Sequence, residues 1–243
     1  MADSGQPHSG KRLFWRGFVA DPKHGPLPLL LLVLTFLTGI VDSVSILALG
    51  RVFVANMTGN VVFVGFAVAG APGFSLAASL FALAGFLIGA WAGGVAIHRF
   101  GDKRAVLLRN AVVLELVLIA GACALSTVAT APFRPDIKDT IAAMTAIAMG
   151  IQNSVARRLA VPDLTTTVLT MTLTGLAADM RSGDNVAVFR RLLAVRAMLA
   201  GAMAGALLVL RVSPSSALGL AVALLAAVAI AVLVAGRDHP SWT

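Results

Sequence analysis

Residues 55–70 read Ala55-Asn56-Met57-Thr58-Gly59-Asn60-Val61-Val62-Phe63-Val64-Gly65-Phe66-Ala67-Val68-Ala69-Gly70, and the fold turns on whether they cross a bilayer. Asn56 and Thr58 suit a helix start, because a side-chain oxygen there accepts from first-turn N–H groups that lack a partner. The apolar run itself, Met57–Gly70, is only about 14 residues, against the roughly 20 that a spanning helix needs. A second short run, Thr165–Ala178, opens after Asp163 in the same way. Around these two lie six longer apolar segments: Leu27–Leu47, Phe74–Ile97, Ala105–Ala129, Ile137–Ala156, Leu192–Val212 and Ser215–Ala235.

If both short runs span, an amino terminus in the cytoplasm puts Arg99, Lys103, Arg104 and the Arg157-Arg158 pair outside, against the positive-inside bias. If both enter and leave on one side, the cytoplasm collects Lys11, Arg12, Arg16, Lys23, Arg99, Lys103, Arg104, Arg157, Arg158, Arg181, Arg190, Arg191 and Arg237. Only Arg51, Arg134, Lys138 and Arg211 then lie outside. The bias selects an all-α integral membrane protein with six transmembrane helices plus two short re-entrant helices, both termini cytoplasmic. Residues 1–26, polar, basic and rich in Gly and Pro, read as a disordered cytoplasmic tail. Residues 27–236 form one polytopic membrane domain, and 237–243 a short cytoplasmic tail.

Composition points to lipid as the solvent. Hydrophobic residues make up 58% of the chain and charged residues 12%, about half the share usual in a soluble domain. Mean hydropathy is +0.92. The net charge of +8 resides in loop clusters such as His98-Arg99-Phe100-Gly101-Asp102-Lys103-Arg104, which suit anionic headgroups. No nucleic-acid recognition motif is present. Cys123, the one cysteine, cannot form an intrachain disulfide. His8, His24, His98 and His239 lack metal-ligand spacing, and no H-E-x-x-H, G-x-S-x-G or P-loop occurs. The expectation is a protein without catalytic residues, metal or cofactor.

The two halves, about 27–130 and 137–236, resemble each other. Gly39-Ile40-Val41-Asp42-Ser43-Val44 matches Gly150-Ile151-Gln152-Asn153-Ser154-Val155. Asn56-Met57-Thr58-Gly59-Asn60 matches Asp163-Leu164-Thr165-Thr166-Thr167, and Gly85, Gly89 and Gly93 match Ala197, Gly201 and Gly205. Three spans per half is an odd number, so the halves would be inverted, a design common in transporters with broken helices.

That symmetry nominates the two short-segment starts as a solute site, built from Asn56, Thr58, Asn60, Asp163, Thr165 and Thr167. Non-helical backbone at membrane depth is tolerated where it lines a cavity or is buried in protein. Asp42 and Glu115 are ionisable residues within spans and so candidates for proton or ion coupling. Each has a structural alternative: Asp42 could pair with Arg51 or hold the neighbouring loop, and Glu115 could bond another helix. Gly85, Gly89, Gly93, Gly201 and Gly205 form small-residue rails that let helices approach closely, between the halves or in a homo-oligomer. The threonines from Thr165 to Thr174 could line a wet path or bond back to helix carbonyls.

Thr38-Gly39-Ile40-Val41-Asp42-Ser43-Val44-Ser45, followed by Ala55-Asn56-Met57-Thr58-Gly59-Asn60, resembles the signature of the YoaK-like family of bacterial inner-membrane proteins of unknown function. Gly150-Ile151-Gln152-Asn153 and Thr165-Thr166-Thr167 fit the same pattern, so the resemblance covers roughly residues 27–236. It implies about six spans and brings no substrate, cofactor or catalytic residue with it. The leading expectation is passage of a small solute or ion. The alternatives are a non-transporting assembly or sensory protein and, less supported, an intramembrane enzyme.

Overall fold

A computed structural model describes residues 25–129, 131–161, 169–179 and 185–238. The expected amino-terminal tail up to residue 24 and the tail from residue 239 lie outside the described residues. Among the described residues eight helices follow one another: α1 Leu27–Ala48, α2 Met57–Val68, α3 Leu76–Phe100, α4 Arg104–Val128, α5 Pro135–Leu159, α6 Leu169–Asp179, α7 Asn185–Arg211 and α8 Pro214–Asp238. The last runs through Arg237 and Asp238, where the sequence reading begins a tail.

The helix ends follow from local chemistry. Pro135 opens α5, where its missing N–H costs nothing, with Asp136 in the first turn and Arg157-Arg158 in the last, each sign complementing the helix dipole. Ala160 closes the helix in the left-handed conformation (φ 48°). Ser75 caps α3, its hydroxyl accepting from the Ala78 N–H at 3.2 Å. Ser213 does the same before α8, accepting from the Ser216 N–H at 3.1 Å.

Among the described residues five helices are long and apolar enough to cross a membrane: α1, α3, α4, α7 from Ala187 on, and α8 up to Ala235. This is one fewer than the six read from the sequence. The helix that falls short, α5, has the length, 25 residues, but carries Asp136, Lys138, Asp139, Arg157 and Arg158 near its ends and Thr145, Gln152 and Asn153 within. At 12 and 11 residues, α2 and α6 reach only about 18 Å each, well short of a hydrocarbon core of about 30 Å.

Two helices occupy the middle. Helix α1 is mostly buried, and α5 buries Ile141, Ala142, Ala146, Met149, Ile151 and Val155 among others. Helix α7 packs on α1 and α3 packs on α5, while α4 meets α8. In addition α4 touches α5 and α8 touches α1, α2 lies on α3 and α6 on α7, α3 meets α4 and α7 meets α8, and α1 contacts α5. Outward faces are large and apolar. Leu87, Ile88, Trp91 and Val95 on α3, and Leu199, Met203, Leu207 and Leu210 on α7, are all exposed. An apolar surface of that kind fits lipid rather than water.

The glycine rails explain the two tightest contacts. A methyl group at Gly89 would overlap the Ile147 carbonyl, and one at Gly201 the Phe36 carbonyl. At Gly85 the added carbon would sit 2.9 Å from the Ala143 oxygen, at Gly93 2.7 Å from Ser154 Cβ, and at Gly205 2.8 Å from Ile40 Cα. The rail of α3 thus faces α5 and the glycines of α7 face α1, backbone against backbone. Gly39 and Gly150 return the contact from the opposite side, against Ala202 and Ala90. Four residues after each, a serine hydroxyl crosses the seam: Ser43 donates to the Ala202 carbonyl at 2.8 Å and Ser154 to the Ala90 carbonyl at 3.0 Å.

Candidate functional site

Between α1 and α2 the chain leaves helical geometry. Gly50 (φ 103°) and Arg51 (φ 60°) turn it, and Val52–Asn56 then runs non-helical with Val52, Val54 and Ala55 buried. Such backbone has no partner four residues away, so its polar groups need side chains. Asp42 supplies one acceptor: its Oδ1 takes the N–H groups of Val54 and Ala55 at 3.3 and 3.2 Å. Asn60 grips Phe53 from the other side. Its Oδ1 accepts from the Phe53 N–H at 2.8 Å and its Nδ2 donates to the Phe53 carbonyl at 2.5 Å. A side chain at Gly59 would collide with the Phe53 ring, at 2.5 Å. Glycine and asparagine at 59 and 60 are therefore requirements of one clamp around residue 53.

The clamp forms one wall of a cavity of about 720 Å³. Asp42 faces it from α1, Asn56, Met57 and Thr58 from the start of α2, Phe86 from α3, Asn153 from α5, Thr170 from α6 and Met198 from α7. Asp42 is only 8% exposed, and its second carboxylate oxygen has no hydrogen-bond partner among the described residues. Asn56 stands at the helix start but makes no cap bond, and neither its amide nor the Thr58 hydroxyl is engaged among the described residues. Asn153 Nδ2 donates to the Met149 carbonyl at 3.1 Å. One residue before it, Gln152 donates to the Thr38 hydroxyl at 2.9 Å and so ties α5 to α1 beside the cavity. Phe53 and Phe63, both lining residues, stack with centroids 5.8 Å apart, and Phe63 leans on Phe74 at 5.0 Å.

Of the residues nominated from sequence, Asn56, Thr58 and Asp42 meet at this cavity. Asn60 does not reach it, being fully buried with its amide on Phe53. Asp163, Thr165 and Thr167 lie outside the described residues. Thr170, from the same threonine run, lines the cavity, while Thr174 bonds back to the Thr170 carbonyl at 2.9 Å. Asp42 does not pair with Arg51, since it turns to the Val54 and Ala55 N–H groups. Glu115 lies away from the cavity in the buried stripe of α4, and its Oε2 has no partner among the described residues. Arg109 does not reach it and instead contacts Asn110 at 3.3 Å. Among the described residues no group of His, Cys, Asp or Glu is placed to hold a metal ion.

Phe53, Phe63, Phe86, Asn153 and Met198 were not singled out as site residues. A signal existed for three of them: Asn153 is the repeat counterpart of Asp42, and Phe86 and Met198 each follow a rail position.

Residues 30–231 match a family model described as Protein of unknown function (DUF1275). The chain belongs to the DUF1275 family. One relative, described as UPF0700 transmembrane protein YoaK of Bacillus subtilis (strain 168), is 35% identical over 156 residues. That match takes in 62% of this chain and 66% of the relative, just under two thirds. No solved structure matches. The family model spans α1 through most of α8, so both walls of the cavity belong to the DUF1275 region.

Proposed function

We propose that this DUF1275 protein passes a small solute or ion across the bacterial inner membrane, through a path that includes the cavity at Asp42, Asn56 and Asn153. The carrying observation is that cavity: polar groups from both halves of the chain converge on it beside buried non-helical backbone. Polar lining and broken helices at membrane depth are how proteins bind solutes without exposing backbone to lipid.

The proposed topology adds α5 as a sixth span, with α2 and α6 re-entrant and both termini cytoplasmic. At 25 residues α5 reaches about 37 Å, and its charges sit near its ends, within reach of the interfaces. The halves α1–α4 and α5–α8 would be inverted repeats. Each helix contact supports this, because shifting every label by four maps the set of contacts onto itself. Gly39 with Gly150, Ser43 with Ser154 and Gly89 with Gly201 make matching contacts. An enzyme reading is disfavoured, since Asp42 is the one titratable group among the described lining residues.

Purified protein in proteoliposomes tests the reading, with a panel of labelled small solutes of each charge. Uptake of at least one, lost in Asn56→Ala while the fold is kept, is the expected result. No uptake of any would leave the assembly or sensory alternative. Topology is tested separately by replacing Cys123 with Ser and placing single cysteines near Pro72 and near Asp102. External reagent should label only the first, and labelling near Asp102 would sink the re-entrant arrangement.

A further inference from the structure

The chemistry of the lining names a substrate class. Among the described residues Asp42 is the single ionisable residue of the lining, and no Lys, Arg or His among them faces the cavity. One oxygen of Asp42 is held by two loop N–H groups, which fixes the carboxylate in place and leaves its second oxygen without a protein partner. Phe53, Phe63, Phe86, Met57 and Met198 line the same cavity. The remaining polar groups are amides and hydroxyls: Asn56, Thr58, Asn153 and Thr170.

We infer that the cavity binds a small organic cation, a substituted ammonium with apolar groups on nitrogen. This rests on reading the cavity as part of a solute path. An anion would meet the Asp42 carboxylate and the negative faces of the rings. A divalent metal ion takes several oxygen ligands, commonly more than one carboxylate, and among the described lining residues there is one. A bare monovalent ion leaves the aromatic wall without purpose, and the volume of about 720 Å³ is that of a site for an organic molecule. A substituted ammonium uses every part: charge against Asp42, methyl groups against ring faces and sulfur, and any hydroxyl on the amides.

The test uses three molecules of nearly one shape and different charge: choline, uncharged 3,3-dimethylbutan-1-ol and anionic 3,3-dimethylbutanoate. Binding to the full-length protein in detergent is measured by calorimetry, and choline uptake is followed in proteoliposomes. Choline should bind roughly tenfold or more tighter than the alcohol, and the carboxylate should not bind. Asp42→Asn keeps an acceptor for the Val54 and Ala55 N–H groups, so it should leave the melting temperature nearly unchanged and weaken choline at least tenfold. Phe86→Leu should weaken choline several-fold more than the alcohol. Equal affinity for choline and the alcohol, or choline binding untouched in a folded Asp42→Asn protein, overturns the cation assignment. Absence of choline binding does so too. Uptake of some other solute, dependent on Asn56, would at the same time keep the transport reading. Choline binding with the stated charge preference but no uptake keeps the cation site and overturns transport.

Discussion

Replacing Asn60 with alanine tests whether the clamp on Phe53 organises the site. The substitution removes two hydrogen bonds, to the N–H and to the carbonyl of Phe53, from a side chain that is fully buried. Between transmembrane helices a side-chain hydrogen bond averages only about 0.6 kcal/mol, because helical backbone is already satisfied and the polar side chain finds other partners. Phe53 is different. It sits in non-helical backbone between α1 and α2, where no carbonyl four residues back takes its N–H. Each buried backbone group left unmet costs about 1–3 kcal/mol. The cavity next to Phe53 could admit water to one of them, so the lower part of the combined range applies, about 2–4 kcal/mol for Asn60→Ala. Asn60→Asp should be as damaging. It keeps an acceptor for the N–H but turns a carboxylate oxygen toward the Phe53 carbonyl. Asn56→Ala is the control, since that side chain makes no hydrogen bond among the described residues, and it should stay within about 0.5 kcal/mol of the parent. The measurement is reversible unfolding in mixed micelles over a denaturing-detergent gradient. If Asn60→Ala matched the parent, or Asn56→Ala were equally destabilised, Phe53 would not depend on Asn60 and the clamp would be a crystal of coincidence rather than a cause.

Further outcomes follow from the same contacts. Asp42→Ala strands the Val54 and Ala55 N–H groups and should cost about 2–4 kcal/mol, whereas Asp42→Asn should cost under about 1 kcal/mol; equal losses in the same unfolding assay would refute the loop-holding role. Gly89→Leu drives a side chain into the Ile147 carbonyl and should destabilise by about 3 kcal/mol or prevent folding, while Gly94→Ala, on the same helix with nothing within 4 Å of the added carbon, should be neutral or slightly stabilising. Glu115→Leu should raise stability by about 1–3 kcal/mol, since it replaces an unpartnered buried carboxyl by an apolar group in an apolar stripe. Solute uptake should survive that change, and uptake lost in a stabilised protein would instead assign Glu115 to proton coupling.

Most of the helical plan was legible because lipid contact writes itself into composition. Leu87, Ile88 and Trp91 face outward on α3, and Leu199 and Met203 do so on α7, so these helices announce themselves by hydropathy. The glycine rails were legible for a related reason: backbone contact between helices demands small residues at every fourth place. The clamp was not. Asn60 was nominated for the solute site together with Asn56 and Thr58, as a polar residue at the start of a short segment. What decides its role is a hydrogen bond to a residue seven positions earlier, in a turn whose path no periodicity encodes. Phe53, Phe63 and Phe86 were hidden among other apolar residues, because hydropathy does not distinguish a ring facing a cavity from one facing lipid.

Helix α5 carries this argument furthest. It fails a hydropathy criterion that α1 passes easily, yet both lie at the centre and touch each other. Its neighbours permit the low hydropathy. With α3, α4 and α1 against it, α5 presents little surface to lipid and has no need of apolar residues all round. Thr145, Gln152 and Asn153 are tolerated there because they face protein or cavity. Low hydropathy in a long buried helix of a membrane protein is thus permitted by its position, and it lets α5 bring Asn153 to the cavity opposite Asp42 of the more apolar α1. The Asp42–Asn153 pair sharpens the point. If the halves are related as proposed, a symmetric ancestor would carry the same residue at both places, and two carboxylates facing one poorly hydrated cavity would repel. One acid and one amide keep both polar groups while leaving a single negative charge, which is the balance a monovalent organic cation requires.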